Sequence, residues 1–250
     1  MPRPGFSPAT PLADSTWPEA SESARLGRWL LVPLGSTEQH GPHLPLSTDT
    51  DIAVAVALGA AARDPRLLVA PAVGYGASGE HQGFPGTLSI GQDATRLLLV
   101  ELGRSAVVDF DRVVVVSAHG GNAGPLARAM GQLAEEGHPV SAWSPSWAGD
   151  LHAGRSETSL MLAIRPDRVR LDRAEPGDRR SLPELLPRLR AEGVRSVSGN
   201  GVLGDPAGAT AEEGRRLLDR AVDGLLVEVA RLAELVDPEP GDAMALEGRR

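Results

Sequence analysis

The stretch VVVVSAHGGN at residues 113–122 places four consecutive valines directly before a glycine-rich turn. An unbroken run of β-branched residues is typical of a strand that is buried on both faces, as in a parallel sheet. The run WLLVPL at residues 29–34 has the same apolar character and also leads into a glycine. Shorter apolar runs at 67–70 and 140–143 complete a set of four predicted strands.

Helical patterns separate and follow these strands. Apolar residues at helical spacing predict helices over residues 51–63, 93–110, 123–136, 157–164, 182–191 and 211–235. Regular alternation of strands and helices is typical of an α/β protein whose mainly parallel sheet is flanked by helices. The length of 250 residues suits one such domain better than two small ones.

The two ends of the chain differ in composition from its body. Residues 1–23 are rich in proline, serine, alanine and acidic residues, and residues 237–250 are similar. Such segments offer little apolar surface to bury, so we predict a flexible leader and a flexible tail over these two ranges. Residues 24–236 are predicted to form a single domain.

The charge balance and the missing residue types exclude several function classes. The chain carries 33 acidic and 25 basic residues, a net charge of −8, so a nucleic-acid partner is not expected. All 25 basic residues are arginine, which excludes a Schiff-base lysine and a phosphate-binding Gly-Lys-Ser/Thr loop. The chain has no cysteine, which excludes disulfides, a thiol nucleophile and cysteine-ligated zinc. Any metal ion must therefore bind to His, Asp or Glu.

Neither a membrane span nor a secretion signal is evident in the sequence. No segment approaches the ~20 consecutive apolar residues that cross a bilayer. The first residues lack the basic start and apolar run of a signal peptide. The absence of cysteine agrees with a reducing compartment, so we predict a cytoplasmic protein without a membrane partner.

Polar side chains collect in the segments that follow predicted strands. In the first cluster, residues 36–49, Glu38 and His40 lie two apart, so an extended backbone presents both to the same side. Asp49 follows just before the next helix. The loops after the strands of an open α/β sheet converge on one crevice, where ligands bind. We therefore expect these three side chains to face a common site.

Two further clusters have the same chemistry. Residues 117–122 carry His119 directly after the valine strand, and residues 152–159 carry His152 and Glu157. The three clusters together supply carboxylates and imidazoles without thiolates, a set that suits Zn, Mn or Fe(II). A carboxylate can bridge two ions ~3.5–4 Å apart, and paired ions activate one shared water. We therefore predict a hydrolytic centre with two divalent metal ions.

Other interpretations of these residues stay open at this point. The first cluster alone is also compatible with ordinary loop residues, and His81 suits a ligand role and a packing role equally. His43 is better explained by packing or by support of a ligand. A serine nucleophile is poorly supported, because neither Ser36 nor Ser117 lies in a Gly-x-Ser-x-Gly elbow. A nucleotide-binding turn at residues 119–122 lacks the G-x-G-x-x-G pattern.

Several motifs resemble those of the creatininase (creatinine amidohydrolase) family. They are LGSTEQHGPHLPL at 34–46, GFPGT at 83–87, HGGN at 119–122 and ETS at 157–159. The resemblance implies a three-layer α/β/α sandwich, a homo-oligomer that is usually a hexamer, and a dinuclear metal centre that hydrolyses amide bonds. It extends over nearly the whole predicted domain.

The resemblance also implies roles for individual residues. Glu38, Asp49 and His119 would hold one ion. His40, Asp49 and a further carboxylate would hold the other ion, with Asp49 as the bridge. His152 matches a histidine that moves protons in the family.

The chain departs from the creatinine-hydrolysing members at two places. Where they carry Tyr and a metal-binding Glu, this chain has Gly120 and Gly121, so we expect Glu157 to supply the missing carboxylate or to donate a proton. Where they carry a Trp-Asp pair, this chain has Ala148 and Gly149. Both changes remove groups that bind a small ring, so we expect a substrate larger than creatinine.

Further motifs resemble the branch of this family that serves the mycofactocin system, namely YGASGEHQ at 75–82, LP at 186–187, GVLGDP at 201–206 and ATA at 209–211. That branch implies a peptidase that removes a C-terminal Val-Tyr dipeptide from a modified ribosomal precursor peptide. Arginine pairs well with a terminal carboxylate, and Arg155 is the first candidate, although a solvated surface role explains it at least as well. Two alternatives stay open: an amidohydrolase for a small cyclic amide or formamide, and a non-catalytic metal-binding or assembly protein.

Overall fold

The computed structural model describes residues 11–146 and 151–235, and its centre is a four-stranded sheet. The strands are β1 (Trp29–Leu34), β2 (Leu67–Val69), β3 (Val113–Ser117) and β4 (Val140–Trp143). They lie in the order β2-β1-β3-β4, and all neighbours pair in parallel. All four predicted strands are confirmed, and the two most apolar runs form the two central strands.

Helices connect the strands and cover the sheet. They are α1 (Trp17–Arg25), α2 (Thr48–Arg63), α3 (Gly91–Ala106), α4 (Ala123–Glu135), α5 (Arg155–Ile164), α6 (Leu182–Glu192) and α7 (Ala211–Glu234). The second helix begins at Thr48 instead of the predicted Asp51, which places Asp49 in its first turn. The third helix ends at Ala106 instead of Phe110, because the chain turns there and buries Phe110 against the sheet.

The sheet separates two apolar cores because side chains alternate along each strand. Leu31 and Val114 point to one side, where they pack with residues of α2, α5 and α7. Leu30 and Val115 point to the other side and pack with residues of α3 and α4. The predicted three-layer α/β/α sandwich with a parallel sheet is therefore confirmed.

The helix pair α5 and α7 makes an unusually close backbone approach. A Cβ atom added to Gly214 would lie under 3.0 Å from the backbone carbonyl of Ser159, so any larger residue would push the helices apart. Arg155 at the start of α5 also pairs with Glu213 of α7, with 2.8 Å between Nε and Oε2. These contacts fix the position of the helix that carries Glu157.

The predicted terminal segments fall only partly within the described residues, because residues 1–10 and 236–250 lie outside them. Residues 17–23 of the predicted leader belong to α1, which the sequence did not predict. Glu19 stabilises the start of this helix by accepting hydrogen bonds from the backbone and hydroxyl of Thr16. The division into leader, domain and tail stays a prediction. No helix within the described ranges has the length and apolar character needed to cross a bilayer.

Candidate metal centre

The segment after β1 carries two of the predicted ligands at the carboxyl edge of the sheet. It folds back on itself, so that the backbone amide of Glu38 donates to the carbonyl of Leu46 at 3.1 Å. Gly41 turns the chain with a φ of +64°, and His40 pairs with Leu44 across the turn. Glu38 and His40 are both fully buried. The two-residue spacing therefore brings them to the same site, as predicted.

Asp49 lies between two imidazoles. The Ser36 hydroxyl donates to its Oδ2 at 2.6 Å, which orients the carboxylate in the first turn of α2. Its Oδ1 lies 3.2 Å from Nε2 of His40, and its Oδ2 lies 3.3 Å from Nδ1 of His119. The Asp49 carboxylate thus contacts imidazoles from two different loops. A carboxylate that bridges two metal ions needs this position.

Glu38 has the environment of a metal ligand. Its side chain is completely buried, yet neither carboxylate oxygen accepts a hydrogen bond from the described part of the chain. Nε2 of His119 lies 3.2 Å from Oε2, and Nε2 of His81 lies 3.3 Å from Oε1, without the geometry of hydrogen bonds. A buried carboxylate without hydrogen bonds is costly. The Glu38 oxygens and the histidine nitrogens lie close enough together to bind the same cation.

Three sets of side chains each bring their ligand atoms within 4.8 Å of one another. The sets are Glu38–His40–Asp49, Glu38–His81–His152 and His40–His152–Glu157. His119 adjoins the first set through its contacts with Glu38 and Asp49. The structure thus brings all six predicted site residues together and adds His81, for which two roles stood open.

Gln39 was not among the predicted site residues, yet it connects the imidazoles. Its amide nitrogen lies 2.9 Å from Nδ1 of His81 and donates to the carbonyl of Gly201 at 3.0 Å. Its backbone carbonyl lies 2.8 Å from Nε2 of His152. The His152 ring packs between those of His40 and His81, with centroids 4.3 and 4.4 Å away. Gln39 therefore holds two histidines beside the centre.

Glu157 and His152 reach the centre from α5 and from the segment before it. Oε2 of Glu157 accepts a hydrogen bond from the backbone amide of Ala153 at 2.6 Å and lies 3.9 Å from Nε2 of His40. Nδ1 of His152 lies 3.8 Å from Oε1 of Glu38. Each group is close to the centre but already has another partner, so the geometry suits proton transfer as well as metal binding.

Burial and neighbouring charges shift the pKa values of the centre in opposite directions. Burial lowers the pKa of His40, but the carboxylate of Asp49 outweighs it and raises that pKa to about 10. Burial opposes ionisation of Asp49, but His40 and His119 hold its pKa well below the usual range. Burial raises the pKa of Glu157 to about 7 and lowers the pKa of His152. The direction of this shift favours the neutral imidazole of His152.

The centre opens into a cavity of about 1070 Å³. Glu38, His119 and His152 contribute to its lining, and α6 contributes a wall of apolar residues that also carries one cation and one anion, made of Leu182, Leu186, Leu189, Arg190, Ala191 and Glu192. Sites for drug-sized ligands measure about 300–1,000 Å³. The cavity therefore has room for the end of a peptide chain beside the centre.

Other residues of the sequence-based hypothesis lie away from the centre or outside the described residues. Arg155 does not line the cavity, and its ion pair with Glu213 gives it a different role from the predicted carboxylate binder. His43 supports the site indirectly, with its Nε2 2.9 Å from the hydroxyl of Thr158. Ala148 and Gly149, which we expected to widen the site, fall in the range that the structure does not describe.

Glu80 lines the cavity and was also missed. Its Oε1 lies 3.7 Å from Nε2 of His119, and burial raises its pKa. The sequence feature that could have identified Glu80 is its place beside His81 in the motif at 75–82.

Comparison with known proteins places the chain among amide hydrolases. Residues 13–229 match the family model described as Creatininase, creatinine amidohydrolase. The chain is 51% identical over 227 residues to the Mycobacterium ulcerans protein named mycofactocin precursor peptide peptidase, covering 87% of this chain and 86% of that protein. It is 32% identical over 218 residues to a Methanothermobacter thermautotrophicus protein named 2-amino-5-formylamino-6-ribosylaminopyrimidin-4(3H)-one 5'-monophosphate deformylase, covering 80% and 86%.

Solved structures agree with this placement. A crystal structure of creatinine amidohydrolase superposes with a TM-score of 0.78 at 25% identity, covering 90% of this chain and 98% of that one. Other solved creatininases of this fold are described as a Zn-Zn type and as a Mn form. The family model spans most of the chain, and relatives that are about half identical cover more than four fifths of it. The chain belongs to the creatininase family.

Proposed function

We propose that this protein is a metal-dependent peptidase that hydrolyses an amide bond near the C-terminus of the modified mycofactocin precursor peptide. The product is a Val-Tyr dipeptide. The observation that carries the proposal is the buried carboxylate–imidazole centre, which opens into a cavity large enough for a peptide end. The 51% identity with a peptidase named for that precursor supports the choice of substrate.

The donor set fits two divalent ions. We assign Glu38, Asp49 and His119 to one ion, and His40 with Asp49 to the other, because Asp49 contacts both imidazoles. Glu157 lies on the His40 side, where it is available as a further ligand. These residues would hold zinc, iron(II) or manganese ions, which would supply the acidification of a water molecule and the polarisation of the scissile carbonyl.

We assign the movement of protons to His152 and Glu157. Nδ1 of the neutral His152 lies 3.8 Å from Glu38, so it is placed to accept a proton from the attacking water. The carboxyl of Glu157, with a pKa of about 7, is suited to donate a proton to the leaving amine. The water oxygen adds to the carbonyl carbon, the C–N bond breaks, and the amine leaves with the donated proton.

Glu157→Gln is expected to retain the metal content of the wild type and to lose roughly 10²–10⁴-fold in rate. The oxygen of Glu157 that is nearest to His40 already accepts the Ala153 amide, which favours a proton donor over a ligand. Metal analysis of the purified variant and single-turnover cleavage measure the two effects separately. Loss of an ion would assign Glu157 as a ligand, and full metal with full activity would contradict both roles.

His152→Ala is expected to keep both ions and to slow cleavage by roughly 10²–10⁴-fold, because the proton acceptor is removed. His138→Ala is the matched control, since His138 is half-buried away from the centre and, among the charged groups of the described residues, pairs with Glu136 at 3.6 Å. Metal content and cleavage rate are measured for both variants. A fall in metal content for His152→Ala would make His152 a ligand in place of a proton acceptor.

Arg190 is the residue that we assign to the C-terminal carboxylate of the peptide. It lines the cavity beside Leu186 and Leu189, and its guanidinium has no ion pair within the described ranges. A guanidinium binds a carboxylate through two parallel hydrogen bonds, while the leucines suit apolar parts of the peptide. Arg188 of the same helix instead donates to the carbonyl of Ser196 at 2.7 Å, which makes it a matched control.

The test uses metal-loaded enzyme and a peptide that ends in Val-Tyr, followed by mass spectrometry. We expect release of the dipeptide, and at least about tenfold slower release from the C-terminally amidated peptide, since one charge-assisted pair is lost. Arg190→Gln is expected to remove the difference between the two peptides, mainly through KM, whereas Arg188→Gln retains it.

Two outcomes would favour the other functions. Brisk hydrolysis of creatinine or of a formamide without peptide cleavage would favour the small-amide alternative, to which the deformylase relative corresponds. Tightly bound metal without hydrolysis of any of these compounds would favour a non-catalytic binding or assembly protein.

We also propose a cytoplasmic homo-oligomer, a hexamer by resemblance to the family. An apolar surface supports association, because Tyr75 and Leu88 are each more than half exposed, at 53% and 54%. The adjoining Ile90 is 36% exposed, and its amide bonds to Gly76. Light scattering after size-exclusion chromatography measures the mass of the assembly and tests this proposal directly.

A further inference from the structure

The side-chain amide of Gln39 has a fixed orientation, because each of its ends faces a backbone group of known polarity. Its Oε1 lies 2.9 Å from the backbone nitrogen of Gly41, which can only donate a hydrogen bond. Its Nε2 lies 3.0 Å from the carbonyl oxygen of Gly201, which can only accept one. A flipped amide would place hydrogen against hydrogen and oxygen against oxygen. The amide nitrogen therefore donates one hydrogen to Gly201 and has a second hydrogen for another acceptor.

Two imidazole nitrogens lie close enough to receive this second hydrogen, and the backbone decides between them. Nδ1 of His81 lies 2.9 Å from Nε2 of Gln39, and Nε2 of His152 lies 3.0 Å from it. Nε2 of His152 also lies 2.8 Å from the backbone carbonyl oxygen of Gln39. A carbonyl oxygen only accepts, so Nε2 of His152 carries a hydrogen and donates it there. The second amide hydrogen then goes to Nδ1 of His81.

These hydrogen bonds give the two imidazoles opposite roles towards the Glu38 carboxylate. A neutral imidazole carries its hydrogen on one nitrogen, and the hydrogen bond at one nitrogen determines which. His152 therefore has its lone pair on Nδ1, which lies 3.8 Å from Oε1 of Glu38. His81 has its lone pair on the side of Gln39, so its hydrogen is on Nε2, 3.3 Å from the same oxygen. One ring offers a lone pair to the centre and the other offers a hydrogen.

We propose that Gln39 is a positioning residue that sets the tautomers of both rings, so that His152 offers a lone pair to the centre and His81 does not bind a metal ion. The inference rests on the proposed function and deepens it by dividing the roles of its histidines. His81 belongs to a set whose ligand atoms lie within 4.8 Å of one another. A ring nitrogen that carries a hydrogen has no lone pair for a cation, so His119 is the imidazole that shares an ion with Glu38.

The first test reads the tautomers by NMR of the Zn²⁺-loaded protein labelled with ¹⁵N-histidine. The chemical shifts of ring nitrogens with and without hydrogen are well separated, and spectra of His81→Gln and His152→Gln assign the two rings. We expect the hydrogen on Nε2 in both rings of the wild type. In Gln39→Glu the carboxylate cannot donate to Nδ1 of His81, so the hydrogen of that ring is expected to move to Nδ1. His152 is expected to stay unchanged, because its partner is the backbone carbonyl of residue 39.

The change in one ring alone is the signature of a positioning role, since general loosening of the loop would alter both rings. Circular dichroism establishes that each variant is folded. If Gln39→Glu is not folded, Gln39→Met replaces it. Methionine has no hydrogen to donate and carries no charge, so His81 is expected to show a mixture of tautomers while His152 keeps its hydrogen on Nε2.

The second test displaces the amide without changing Gln39. Gly201 has a φ of +82°, and a Cβ atom added there would lie under 3.0 Å from Oε1, Cδ and Nε2 of Gln39. Gly201→Ala is therefore expected to alter the tautomer of His81, as Gln39→Met does. Gly199→Ala is the matched control in the same loop, because a Cβ atom there meets nothing within 4 Å. Its spectrum is expected to equal that of the wild type.

The third test counts bound ions at saturating Zn²⁺. His81→Gln is expected to hold as many ions as the wild type, because His81 is not a ligand. His119→Gln is expected to lose one ion, because His119 lies 3.2 Å from Glu38 and 3.3 Å from Asp49 as a ligand would. Metal analysis of the two purified variants and the wild type measures this difference.

A lone pair on Nε2 of either ring in the wild type, or the loss of an ion from folded His81→Gln, would overturn the inference. An unchanged His81 ring in folded Gln39→Glu would do the same. None of these measurements uses a substrate. Wild-type protein with the expected tautomers that cleaves no peptide would refute the peptidase and leave the role of Gln39 intact. Peptide cleavage by a wild type with other tautomers would do the reverse.

Discussion

Asp49→Ala is expected to abolish peptide cleavage and to leave the protein with little bound metal. Its two oxygens contact His40 and His119 from different loops, so its loss weakens both halves of the centre. We expect the rate to fall at least about 10⁴-fold, because several kcal/mol of transition-state stabilisation are lost at about 1.4 kcal/mol per tenfold. Metal analysis and cleavage of the Val-Tyr peptide measure the two losses.

Two further variants test whether the Asp49 carboxylate itself causes these losses. Asp49→Asn keeps an oxygen for the Ser36 hydroxyl but removes the charge, and it is expected to behave like the alanine variant. Asp51→Ala is the control, because Asp51 lies in the same turn but accepts from the Ser47 hydroxyl at 2.8 Å, away from the imidazoles. Near-normal metal content and turnover in Asp49→Ala would remove this residue from the bridging position.

Stripping the metal with a chelator is expected to stop the reaction and to lower the midpoint of thermal unfolding by roughly 10 °C. Without cations, the buried carboxylate of Glu38 has no hydrogen bonds from the described residues and lies close to further carboxylates. Ions at 1,000 times their dissociation constant stabilise the folded state by about 4 kcal/mol. Each kcal/mol shifts the midpoint by about 2–4 °C in a chain of this size.

Differential scanning calorimetry with and without chelator measures this shift. Restoring Zn²⁺ or Mn²⁺ in excess is expected to recover both the midpoint and the activity. The Asp49→Ala protein serves as the control, since its midpoint is expected to be nearly the same in both conditions. Equal midpoints for the metal-loaded and metal-free wild type would contradict the coupling between metal binding and stability.

The sheet and the grouping of the candidate ligands could be predicted because both follow from local pattern. The apolar runs at 29–34 and 113–116 have no polar face, which suits the middle of a parallel sheet. Parallel strands send their following loops to the same edge, so Glu38 and His119 meet although they are distant in sequence. The fold therefore determines the site more than any single motif does.

The missed residues depend on contacts that no local pattern contains. The amide of Gln39 binds partners 42 and 162 residues away in the chain, so its role appears only in the folded protein. Arg155 pairs with Glu213, which is 58 residues away on α7, and this partner diverts it from the predicted role. Glu80 lies 3.7 Å from His119, an approach that likewise appears only in the folded protein.

The contacts of Gln39 limit how this protein can vary in evolution. Surface loops ordinarily accept insertions and deletions, because few contacts depend on their length. Here one residue contacts the segments of His81, His152 and Gly201, so a change of length in any of these loops would misplace a histidine of the centre. Substrate preference can therefore diverge more readily through substitutions on the cavity wall formed by α6 than through remodelling of the loops that carry the histidines.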